Sequence, residues 1–218
     1  MNSYNVIFIF DLYNKYYFCE KIKMRKGFIL VFVAIFFVTN AQETEKVSVE
    51  KNLYGLQLGA INLSFQYETK LDRKITLLSE LGFELGYATR EFENPDSKDQ
   101  KATVVAPYVT LEPRWYYGID RRNKLGRNIS RNSSNFLALS IRYNLGEKPI
   151  LNTGDFNVVS YVSVIPKYGI RRSFAKKFNY EFSGGVGYRY NIFSKSDGCT
   201  CEHNNTVVDI QARIGYNF

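Results

Sequence analysis

From Lys51 to Phe218, apolar residues recur at every second position in run after run, and the runs are long. A strand points successive side chains to opposite faces, so a period of two gives each run one apolar face and one polar face. The last run is the cleanest. Val208, Ile210, Ala212, Ile214, Tyr216 and Phe218 share one face, and Asp209, Gln211, Arg213, Gly215 and Asn217 share the other. No run sustains a helical period. Several exceed ten residues. Soluble strands average about five or six residues, whereas a tilted strand needs about 9–11 to cross a bilayer. A sheet in lipid must close on itself, because an open edge leaves backbone groups unsatisfied.

Taken in order, the runs predict eight strands. Tyr54, Leu56 and Leu58 sit on even positions, but Leu63, Phe65 and Tyr67 sit on odd ones, so a tight turn is expected near 59–62. A third run carries Leu77, Leu81, Phe83, Leu85 and Tyr87. A fourth carries Val105, Val109, Leu111 and Trp115, interrupted by Pro107 and Pro113. Proline removes a ladder donor, so this strand is expected to be the least regular. Residues 119–134 form a long basic connector. Leu137 to Leu145 make a fifth run. The sixth places Phe156, Val158, Val162, Val164, Tyr168 and Ile170 outward. The seventh carries Phe178 to Ile192, and the terminal strand is the eighth. The predicted fold is all-β: an eight-stranded antiparallel transmembrane up-and-down β-barrel.

Gly27 to Val38 is a continuous apolar run of twelve residues, behind Met24-Arg25-Lys26 and ahead of Ala41. It is shorter than the roughly 20 residues of a spanning helix. A basic start, an apolar middle and a small residue at the cut describe a secretory signal peptide over 24–41. Met24 is then read as the start, leaving 1–23 as an upstream extension and 42–218 as the barrel domain. Removing residues 1–41 leaves 24 basic and 19 acidic residues, a net +5. That is too mild and too dispersed to imply nucleic acid.

The terminal strand, with its closing Tyr216 and Phe218, resembles the C-terminal strand of Gram-negative outer-membrane barrels. The region from Gln42 onward resembles small barrels of the OmpX and OmpA-domain kind. Leu111-Glu112-Pro113-Arg114-Trp115-Tyr116-Tyr117 resembles uncharacterised outer-membrane barrel families. These resemblances imply a monomer in the cell outer membrane, touching lipid and lipopolysaccharide. They also imply that the barrel assembly machinery reads Tyr216 and Phe218. They imply no established activity.

The clearest constellation is a set of inward-phase charges. The acids are Glu68, Glu80, Glu84, Glu112, Glu181 and Asp209, and the bases are Arg114, Arg142, Lys167, Arg171, Arg189 and Arg213. Eight strands leave an interior just wide enough for side chains, and buried charges need partners. Six against six predicts a salt-bridged plug, with a selective pore or proton path as the alternative. Catalytic, cofactor and metal sites are not expected. The sole His, His203, has no serine at close spacing, which argues against a lipid-modifying hydrolase. Cys199, Cys201 and His203 crowd three soft ligands into five residues, a poor closed metal site. An outer-membrane protein with a structural or adhesion role is the leading expectation. The rivals are a soluble barrel holding an apolar ligand and an outer-membrane lipid hydrolase.

Overall fold

The computed structural model describes residues 4–8, 47–90, 100–154, 158–192 and 204–218. The expected signal peptide and the Cys199, Cys201 and His203 group lie outside the described residues.

In chain order the strands are β1 (Tyr4–Phe8), β2 (Asn52–Gly59), β3 (Asn62–Asp72), β4 (Ile75–Arg90) and β5 (Gln100–Trp115). They continue with β6 (Asn135–Asn144), β7 (Leu151–Asn152), β8 (Ser160–Phe174), β9 (Phe178–Ile192) and β10 (Asn204–Asn217). Eight of them, β2–β6 and β8–β10, close into one antiparallel barrel in which sequential strands are neighbours. Closure comes from β10 against β2, with Ile214 opposite Leu58 and Tyr216 opposite Leu56. The two short strands are additions: β1 pairs with the far end of β4, and β7 with Val104 and Val105 of β5. The phase change near residue 60 is a true turn, because Gly59 ends one barrel strand and Asn62 begins the next. The barrel is therefore eight-stranded.

The alternating pattern becomes an inside and an outside. Leu58, Phe65, Leu81, Leu111, Ile141, Phe182 and Ile214 lie exposed on the outer wall, while the intervening polar residues are buried. The prolines have a local effect. β5 is among the longest strands, yet its ladder with β6 passes from Leu111 to Arg114, omitting Glu112 and Pro113. The β8–β9 ladder likewise skips Ile165 and Pro166. A missing N–H removes one rung on one side, and the neighbouring strand on the other side stays paired.

One reading of the sequence needs correction. Val158 does not face outward. It precedes β8 and is buried against Ala102, Val104 and Tyr161. The basic connector of residues 119–134 has structure of its own. It folds as a helix α1 (Ile119–Lys124), a reversal at Gly126 and a 3-10 turn (Ser130–Asn132) that close one end of the barrel. Gly126 has φ of 64°, which a side chain would oppose. Here Val49, Tyr116, Ile119 and Phe136 form an apolar cluster in the interior. The first and last described segments of the barrel lie at this capped end, since Val49 donates to the carbonyl of Arg73 and Asn217 to that of Lys177, both in its turns.

Candidate functional site

The twelve inward-phase charges all lie on the interior of the barrel, and the alternation of the strands puts them there. What the alternation does not set is who meets whom, which depends on how the strands are staggered around the wall. The structure joins most of them near the capped end.

Glu181 on β9 is the centre. Arg114 of β5 donates to it with two groups, Nη1 to Oε2 at 2.8 Å and Nη2 to Oε1 at 3.0 Å. Arg171 of β8 donates through Nε at 2.9 Å, and Arg213 of β10 donates through Nη2. Three guanidiniums thus meet one fully buried carboxylate. Each also has a second acid: Arg114 holds Glu112 at 2.7 Å, Arg171 holds Glu68 at 2.5 Å and Arg213 holds Glu80 at 2.9 Å. Lys167 bridges Asp209 at 2.6 Å and reaches Glu112 at 3.9 Å.

Neutral donors complete the set. Tyr108 donates to Glu80 at 2.5 Å. Glu68 accepts from Thr76, Tyr116 and Asn132 at 2.6, 2.8 and 3.1 Å. The guanidinium of Arg114 also stacks on Phe136, 4.3 Å from its ring centre. These tyrosines were readable as inward-facing, and a hydroxyl in phase with buried carboxylates is the sign that they belong to the network. Asn132 carried no such sign, because it reaches Glu68 only through the folding of the connector.

The cap is fastened by the segment before β2. Glu50 accepts a hydrogen bond from the backbone N–H of Arg131, and its own N–H donates to Asn132 Oδ1 at 2.8 Å. Arg131 and Asn132 both sit in the left-handed region, with φ of 52° and 57°. Such a conformation costs on the order of 1–3 kcal/mol per residue in strained cases, and the Glu50 clasp holds it in place. Outside the barrel, Asp120 at the start of α1 takes Lys74 at 2.5 Å and Arg73 at 3.1 Å. Burial alone would raise its carboxyl pKa, but these two cations outweigh that and lower it.

Toward the other end, the described residues leave a space in the interior. A pocket of about 680 Å³, open solvent included, is lined by Asn62, Glu84, Arg142, Tyr161, Arg189 and Asp209 among others. Glu84 is held loosely, by Tyr161 at 3.2 Å and by Arg142 and Asn144 at 3.4 Å each. Arg142 lies over the ring of Tyr108 at 4.3 Å and Arg189 over that of Tyr161 at 4.1 Å.

Fold and site together define a closed eight-stranded β-barrel whose interior is filled by paired charges. No family model, no curated protein and no solved structure matches the chain. Among the described residues, no cluster of His, Cys, Asp and Glu could hold a metal ion, and nothing points to catalysis.

Proposed function

We propose that this chain is a monomeric outer-membrane β-barrel of a Gram-negative cell, exported by the segment 24–41, with a structural or adhesion role. The observation that carries the reading is an inverted burial pattern. Among the described residues, fourteen buried side chains are apolar and twenty-seven are polar or charged, while large apolar side chains cover the outer wall. Water would penalise that wall; lipid would not. Aromatic residues ring the capped end, where Trp115, Tyr117, Tyr168, Phe174, Phe178, Tyr180, Tyr216 and Phe218 are placed as an interfacial girdle would require. The charged interior near the capped end favours a plug over a channel.

In this reading the capped end faces the periplasm, the pocket faces the outer leaflet of lipopolysaccharide, and Tyr216 and Phe218 are read by the assembly machinery. The test is fractionation. The protein should sediment with outer membrane and migrate differently on a gel before and after heating. Recovery as a soluble protein without detergent overturns the proposal. Deleting Phe218 should deplete the membrane-inserted form severalfold, and unchanged levels would remove the assembly role alone.

A further inference from the structure

The outward rows of β5, β6, β8, β9 and β10 are uncharged among the described side chains, with one exception, Arg172 on β8. It stands directly opposite Tyr180 of β9, one outward position beyond Ile170 and one before Phe174. Its guanidinium is held in place rather than left to wander. Nη1 donates to the carbonyl of Arg171 at 2.7 Å and Nη2 to Asn135 Oδ1 at 2.6 Å. Asn135 in turn donates to the hydroxyl of Tyr168 at 2.8 Å.

The connector brings two more cations to the same place. Asn128 donates to the carbonyl of Ser173, and its own carbonyl accepts from Arg122 at 2.9 Å. The backbone of Arg127 bonds to that of Arg122. Ser173 also bonds to Ser130 and Ser133, so this side of the cap is stapled beside Arg172. None of Arg122, Arg127 and Arg172 has a carboxylate partner among the described residues. Asp120, the nearest acid in sequence, is taken by Arg73 and Lys74.

Three like charges converge without a counter-ion, one of them on the apolar wall itself, at the level of the aromatic ring. A guanidinium presents a fork of donors that matches a phosphate. We propose that Arg172, Arg122 and Arg127 form a site for the phosphate of an anionic glycerophospholipid, whose acyl chains lie along the wall beyond Ile170. The inference rests on the membrane reading, which sets this level of the wall at the headgroups. A soluble acidic protein could reach the connector but not the outward row of β8 within a bilayer.

The test uses protein purified from the cells that express it, reconstituted in phosphatidylcholine vesicles with a minor fraction of phosphatidylglycerol. Insertion is read by flotation and protease resistance. Retained lipid is then identified by mass spectrometry after mild extraction. Phosphatidylglycerol should be enriched over its bulk fraction. One basic residue near a lipid surface contributes about a fivefold preference, so Arg172→Gln should lower enrichment on the order of fivefold. Arg122→Gln with Arg127→Gln, which leaves the wall untouched, should lower it at least as much. Lys176→Gln with Lys177→Gln, equal in charge but on the neighbouring turn, should not. Inserted protein with no enrichment, an equal loss in the lysine control, or displacement by inorganic phosphate would each overturn the lipid site while leaving the barrel reading intact. Failure of the wild type to insert would remove both.

Discussion

Glu181 and Glu84 are both glutamates on inward positions of the same barrel, yet they live differently. Glu181 is sealed under the cap and takes three guanidiniums, those of Arg114 and Arg171 at 2.8–3.0 Å and that of Arg213 besides. Glu84 borders the pocket, and its partners stand at 3.2–3.4 Å. The same residue type in the same register thus becomes a fixed joint at one end and a loosely held group at the other. Partner geometry makes the difference: several short contacts fix Glu181, while fewer and longer ones hold Glu84, although both carboxylates are buried.

Substitution should break this symmetry of sequence. Glu181→Ala leaves three buried cations short of an acid, at a cost of about 3–5 kcal/mol, the range for removing one member of a buried pair. Glu84→Ala should cost less, about 1.5–3 kcal/mol, the range for a lost hydrogen bond to a charged group. Urea unfolding in detergent measures both, and equal drops would erase the distinction between the ends. The cap sharpens the comparison. Glu50→Ala frees the left-handed turn at Arg131 and Asn132 and should cost about 1–3 kcal/mol, as for an unsatisfied buried group. Glu147→Ala, in the exposed loop after β6, should stay within about 0.5 kcal/mol.

A further small effect is on pH. Because the Asp120 carboxyl is lowered below its ordinary 3.8, it stabilises the folded state above that value, and the contribution fades as pH falls through the lowered pKa. Asp120 is partly exposed, so the contribution should be under about 1 kcal/mol. The difference in stability between wild type and Asp120→Asn should shrink as the medium is acidified below pH 3.8. A gap that persists or widens would show that the ion pairs with Lys74 and Arg73 do not fasten the helix.

Alternation made the strands and their faces legible, because period two is local: Asp209 faces inward wherever its neighbours Val208 and Ile210 face outward. The pairing of Arg213 with Glu80 was not legible, since it depends on strand stagger and joins residues far apart in sequence. The connector was opaque for a different reason. Its polar, basic composition reads as loop, and only burial of Ile119 beside Val49, Tyr116 and Phe136 pulls it inward. Val158 misled because it continues the parity of β8 in sequence while standing before its first residue, Ser160.

The seam between β2 and β10 has a consequence in time. Arg213 meets Gly59 across nearly the whole described barrel, so the chain cannot finish its cylinder until its final strand has been delivered. Until then β2 offers an unpaired edge, the kind of surface that invites pairing with a stranger. Contacts so distant in sequence form slowly, because long loops must close first. The barrel is therefore most vulnerable just before β10 is in place, and β10 both ends that exposure and decides how long it lasts.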